Sequence, residues 1–329
     1  MTMETIHYEF VLEATTPIAH HAETFGNTSI LMDRKVRQPD GSFVRVPVIT
    51  GDTMRHGMRE AAAYALLDAA GLLGPSSLGE AALRLLFAGG MVTGRGDAGS
   101  ISLDQYRKMS DLIPSIALFG GCADNRIIPG RLHVDDAQLV CVESKHWLPP
   151  WVIDWVAAEK TTIDGARAHI EEVQRVRMDP TLDPGKRKLL TADAEELVQA
   201  RLVASEAGHT AGDAIEIAQA KSTMLPHTFE TIVQGSLLYW SVQATCYSDL
   251  DRDTLHVALG GFLSSARVGG KRGTGHGHLR VVTARDLAVK RSSEPAEILD
   301  LGARMGQVFL EHVKARKEEI KSFLQGVNA

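Results

Sequence analysis

An α+β fold is the prediction for this chain, and three observations carry it. Short segments with apolar residues at alternate positions recur along its length, as in "HYEFVLEATTPI", where Tyr8, Phe10 and Leu12 share one face. Segments of helical period sit between these strands instead of following them as a block. The stretch over 147–228 is charged, helical in propensity and broken by "MDPTLDPGKRK", so it reads as an insertion outside the core. Interleaved strands with few helices suit a ferredoxin-like or RRM-like core that insertions decorate.

The elements follow in order. After the first strand, "AHHAETFGNTSILMDRKVRQPDG" is a polar, basic connection closed by the turn signal Asp40–Gly41. "SFVRVPVIT" is the second strand. Asp52 is a candidate N-cap for a helix with Met54, Met58, Ala61, Ala65 and Ala69 on one stripe. A loop-and-helix insertion covers about 75–108. "GRLHVDDAQLVCVES" is a strand interrupted by Asp135–Asp136, and "TFETIVQGSLLYWSVQATCYS" is a candidate strand pair. "DRDTLHVALGGFLSS" is a helix with an acidic start, and "HLRVVTA" is a strand. A C-terminal amphipathic helix spans 294–326, with Ile298, Leu301, Met305, Val308, Phe309, Ile320 and Leu324 at helical spacing. The whole is predicted as one domain over 1–329, with insertions at about 75–108 and 147–228.

Composition narrows the function. The 329 residues are 44% hydrophobic, enough for a sizeable core. There is no signal-like segment or bilayer-length apolar run, so a cytoplasmic protein without membrane contact is expected. Cys122, Cys141 and Cys246 are widely spaced and read as free, buried thiols. A net charge of -6 argues against coating nucleic acid by bulk charge but permits a local basic groove. His20–His21 and His276 with His278 lack metal-ligand spacing, and no metal or cofactor is expected.

Two segments carry chemistry. "HVALGGFLSSARVGGKRGTGHGHL" packs Gly269, Gly270, Gly273, Gly275 and Gly277 around Lys271 and Arg272. Its order is helix, glycines, strand, the reverse of a dinucleotide-binding turn, and it lacks the P-loop pattern. It is either an anion-binding nest close to another chain or a tight structural corner. In "VPVITGDTMRHGMRE", Arg55 and Arg59 share a helix face beside the helix N-terminus, either a place for a backbone phosphate or, as this segment alone favours, a solvated face on which Arg59 pairs with a nearby acid.

Three segments taken together resemble the RAMP superfamily of CRISPR proteins. They are "VRVPVITGDTMRHGMRE", "ALFGGCADNRIIPGRLHVDDAQL" and "GGFLSSARVGGKRGTGHGHLRV". The shared features are Leu118–Phe119–Gly120 leading to Asp136–Ala137, Pro47 and Gly51 with Arg55 and Arg59, and the late glycine loop. Within that superfamily the chain looks like the backbone subunit that polymerises on guide RNA, most like the type IV version. The type I and type III versions remain alternatives.

The resemblance implies an RRM-like (ferredoxin-like) palm with a helical finger insertion and a thumb. It implies a CRISPR guide RNA (crRNA) held without regard to sequence, its bases free to pair with target DNA or RNA. Partners would be copies of the chain itself and other CRISPR effector subunits. The implied RNA-binding set is His20, Asn27, Arg34, Lys35, Arg37, Thr53, Arg55, Arg59, Lys221, Met224, Gly270, Lys271, Arg272 and Gly273. The thumb is placed near "AKSTMLPHTF", with Met224, Leu225 and Pro226 as a wedge. Asp33 stands where type III relatives carry an RNA-cleaving aspartate, which makes metal-dependent cleavage the alternative to a non-catalytic subunit. An unrelated enzyme holding a small phosphorylated ligand in the glycine loop is a third reading.

Overall fold

The computed structural model describes residues 3–75, 77–90, 103–123, 126–175, 180–206, 227–287, 291–293 and 306–326. The chain divides into two units. One comprises Met1–Ala22, Leu31–Glu171 and Thr231–Ala329, and the other Glu23–Ile30 and Glu172–Glu230.

The larger unit is built on an antiparallel sheet. Its path runs β14 (Arg291–Ser293), β13 (Leu279–Asp286), β1 (Glu4–Ala14), β12 (Leu237–Cys246), β9 (Ala137–Leu139), β5 (Phe43–Ile49) and β4 (Asp33–Arg37), and β8 (Leu132–Val134) also pairs with β12. Helix α1 (Gly51–Ala69) lies between β5 and β8 in sequence, and α8 (Asp249–Leu263) between β12 and β13. Take β1, α1, the split strand β8/β9, β12, α8 and β13 in turn. They form a βαββαβ unit whose strands lie side by side in the order fourth, first, third, second, which is the RRM-like palm expected from the sequence.

The core explains the arrangement. Tyr8, Phe10 and Leu12 alternate onto the face that α1 and α8 cover, where Phe10 stacks on Trp240 and Phe262 meets the Trp240 ring edge-on. Met54, Met58 and Ala62 of α1 and Leu255, Ala258 and Leu259 of α8 fill the same core. Beyond α1, a helical layer packs Leu66, Leu67 and Ala70 against α2 (Glu80–Ala88), α9 (Gln307–Ala315) and α10 (Lys317–Gly326).

His256 of α8 lies in this core. Its Nε2 and the Tyr8 hydroxyl share a hydrogen bond of 2.9 Å, and its Nδ1 has no partner. Burial, then Arg252, lowers the imidazole from the usual 6.5 to about 4. The neutral ring is therefore the folded form. The His256 contribution to stability is flat above pH 6.5 and falls as pH drops from 6.5 towards 4, by roughly 3 kcal/mol in full. His256→Gln should remove this part of the acid sensitivity. Urea unfolding at pH 7, 5.5 and 4.5 checks it, and parallel profiles for the two proteins would refute it.

Several expectations need correction. The polar connection after β1 is not a loop. It contains β2 (His21–Phe25), β3 (Thr28–Leu31) and β4. β4 hides as an edge strand, with charges where an apolar face would announce it. The region from 147 also contributes to a core. Leu148 is buried with Val152 and Val156 of α5 (Pro150–Ala158), against Val11 and Val140 on the second face of the sheet. β1 is thus buried on both sides, and Glu9 is accommodated because Trp151 Nε1 and the Tyr239 hydroxyl each donate to it at 2.7 Å. The two strands in 228–248 form, but β12 joins β1 while β11 (His227–Ile232) joins β3. The C-terminal helix is two helices. They break at Arg316, whose guanidinium binds Asp111 and Glu319, and 294–305 lie outside the described residues. Cys141 and Cys246 are buried and free, their thiols pushed up by burial, while Cys122 is half-buried. Among the described residues, no helix is long and apolar enough to cross a membrane.

The smaller unit holds the turn at Gly26 and Asn27, a parallel pairing of β3 with β11, and α7 (Ala192–Glu206). Arg175 stands over the Phe229 ring at 5.8 Å.

Candidate functional site

The N-terminus of α1 organises the site. Thr50 is the N-cap, its hydroxyl accepting from the Thr53 N–H. The Gly51 N–H donates to Asp136 Oδ1 at 2.8 Å, and Arg34 Nε donates to Asp136 Oδ2 at 2.7 Å. Burial works against the Asp136 charge, but Arg34 and the Gly51 N–H outweigh it and hold the carboxyl below its usual range. The Asp–Asp interruption between β8 and β9 is therefore structural. Asp136 caps α1, and Asp135 accepts from the Ser241 hydroxyl. On the other side of Thr50, its N–H donates to His20 Nε2 at 3.3 Å, which leaves the proton of a neutral His20 on Nδ1. Burial, then His21, lowers the His20 pKa.

Above this helix start is an open cleft of about 500 Å³. His20, His21, Asp52, Thr53, His56, Gly270 and Arg272 contribute to its walls. His20, Thr53, Gly270 and Arg272 were singled out in the sequence, and here they converge from three distant segments. The Gly270 N–H donates to the Ala19 carbonyl at 2.7 Å, and Arg272 Nε donates to the Gly269 carbonyl at 3.2 Å. That second bond fixes the Arg272 side chain at the cleft while its terminal nitrogens carry the charge.

The glycine loop is a tight corner at its ends and uncrowded in its middle. Its ends are crowded. A Cβ on Gly269 would stand 2.6 Å from the Ala19 carbonyl oxygen, and one on Gly277 would stand 2.0 Å from that of Val268. Both have positive φ. Its middle is open, with nothing within 4 Å of a Cβ on Gly273. Lys271 holds a left-handed φ of 58° at the start of the exposed turn.

A second cavity, of about 440 Å³, lies beside β4 and β5. Arg34, Lys35 and Arg37 line it, with Asp136, Gln138 and Trp147. The two cavities flank one helix start, because His20 of the first binds Thr50 and Asp136 of the second binds Gly51.

Arg55 and Arg59 sit elsewhere. Arg55 donates to the carbonyls of Leu132 and Phe119, and Arg59 to those of Gly120 and Phe119, with both guanidiniums over the Phe119 ring. Burial lowers the pKa of both, Arg59 to about 10. Their donors hold the turn after α4 (Pro114–Phe119) and do not face the cleft, so their expected phosphate role is replaced by a structural one. Asn27 is exposed in the smaller unit, where its carbonyl accepts from the Thr228 N–H. Lys221 and Met224, with Leu225 and Pro226, lie outside the described residues. Asp33 pairs with Arg45 at 3.3 Å, and among the described residues no group of three or more His, Cys, Asp or Glu side chains could hold a metal ion.

Sequence reasoning missed His56 and Trp147, weighed His21 only as a metal ligand, and took Asp52 for the N-cap that Thr50 supplies. Asp52 and His56 are four apart and so share a helix face, a signal as strong as the Arg55–Arg59 spacing. Trp147 gave no periodic signal.

No protein-family model and no curated protein matches this chain. A solved structure does. A chain described as belonging to a type IV-B CRISPR complex is similar at a TM-score of 0.52 and 19% identity, over 88% of this chain and 94% of that one. At that identity the likeness is one of fold, and it extends over nearly the whole of both chains.

Proposed function

We propose that this chain is the guide-RNA-binding backbone subunit of a type IV CRISPR complex. Copies would line up along the RNA, each holding its sugar-phosphate backbone and leaving the bases free to pair with a target. The carrying observation is the cleft that gathers His20, Thr53, Gly270 and Arg272 over the start of α1. A fixed arginine and a backbone turn suit phosphate, and phosphate contacts carry no sequence information. The likeness in fold to a chain of a type IV-B CRISPR complex supports the same reading. A net charge of -6 is compatible with it, because only one groove need be basic.

The test is binding of unrelated single-stranded RNA sequences as salt is varied. Lys271→Gln with Arg272→Gln should weaken all sequences alike and flatten the log affinity against log salt slope by about 1.4, for two lost contacts on a single strand. Sequence-dependent losses, or an unchanged slope, would refute the cleft as the backbone contact. A protein that stays monomeric with its guide and partner subunits would refute the filament. The proposed subunit does not cut RNA. Regular fragments formed with a divalent metal, and lost in Asp33→Ala, would replace this reading with the cleaving alternative.

A further inference from the structure

The cavity beside β4 differs from the cleft in one respect: it has an aromatic wall. Trp147 is 62% exposed, unusual for the largest side chain, and it is not loose. Its indole N–H donates to the Arg37 carbonyl at 2.9 Å, which pins the ring against the edge strand. Val36, Val46 and Val48 lie beneath as an apolar floor, and Gln138 offers an amide. Lys35 and Arg37 are exposed on the same strand, and Lys35 Nζ stands 5.4 Å from the centre of the exposed Phe43 ring. The one carboxylate in the wall, Asp136, is already held by Arg34 and the Gly51 N–H.

Fixed exposed aromatics alternating with cations are how proteins hold single-stranded nucleic acid, since every base has a face to stack and every linkage a charge. A ring held by its own hydrogen bond loses little freedom when a base stacks on it. We propose that this cavity seats one base of single-stranded RNA, stacked on Trp147, with the flanking phosphates on Lys35 and Arg37. This rests on the chain being an RNA-binding subunit. It adds that one base in each protomer's segment is held by the protein at this point, and that the track runs from the glycine-loop cleft past the start of α1 to β4.

The experiment compares the full-length protein with Trp147→Leu and Trp147→Phe. The probes are a fluorescently labelled oligo(A) and a strand of equal length whose sugars lack bases. The wild type should prefer oligo(A), and Trp147→Leu should cut that preference about tenfold while leaving abasic-strand affinity and the salt slope unchanged. Trp147→Phe loses the indole hydrogen bond but keeps an aromatic face, and should retain most of the preference. An undiminished preference in Trp147→Leu overturns the pocket while leaving the guide-binding reading intact. So does a Trp147→Leu variant whose only defect is weaker self-association without nucleic acid, which would make this a contact between copies. A wild type that binds neither strand overturns both readings.

Discussion

Gly277→Ala is expected to destabilise the protein by roughly 3–5 kcal/mol, combining the strain of a left-handed backbone with overpacking. The residue has φ 87°, which an L side chain adopts only at a cost. The new methyl would also stand 2.0 Å from the Val268 carbonyl oxygen, and that atom cannot swing away as a side chain can. The Val268 N–H donates to the Gly277 carbonyl, and the Gly277 N–H donates to that of Pro17, so relief of the clash disturbs the contact between the loop and the end of β1. The contrast is Gly273→Ala, whose Cβ meets nothing within 4 Å and which should unfold within about 1 kcal/mol of wild type. Urea midpoints for the two variants measure the difference. Equal midpoints would refute the claim that the loop is crowded at its ends and open in its middle.

Arg55→Ala with Arg59→Ala is expected to destabilise by about 4 kcal/mol, because the carbonyls of Phe119, Gly120 and Leu132 lose charged donors in a buried place. All three acceptor residues are buried, so water cannot readily replace the guanidiniums. Arg55→Lys should recover little, since an ammonium on a flexible stem does not reproduce a planar fork between two carbonyls. The readout that separates structure from RNA contact is the salt dependence of binding, measured below the variant's melting temperature. A structural clamp lowers the melting temperature and leaves the slope alone. A phosphate contact does the reverse, and that result would overturn the assignment.

Much of the palm could be read from the sequence, because its strands and helices bury one face each and their periods show it. β1, β5, α1, α8 and β13 all stand where their patterns place them. The site was legible only in part. Along α1 the arginines at 55 and 59 and the polar residues at 52, 53 and 56 are equally regular, and nothing local says which face meets a carbonyl-lined turn. The decision belongs to Phe119 and Gly120, which approach only after the helices have packed. β4 was invisible for a related reason. An edge strand needs little apolar surface, and its charges read as a loop until Val46 and Val44 are seen opposite. Glu9 and Val11 point to the second sheet face, and no pattern within β1 reveals that α5 will cover it.

The position of β1 in its sheet has a consequence for synthesis. This strand is central, yet both its neighbours come from far along the chain: Phe10 pairs with Trp240 on one side and Ala284 on the other. When β1 leaves the ribosome it has no partner, and at ordinary elongation rates it waits tens of seconds for β12. Through that interval Tyr8, Phe10, Val11 and Leu12 are an exposed apolar segment without a pairing partner. α1 and the helices beside it can form meanwhile from local contacts, but the palm closes only after β12 and β13 have emerged. A chain arrested before residue 237 is therefore expected to aggregate through the unpaired β1 segment, which Tyr8→Asp with Phe10→Asp should suppress.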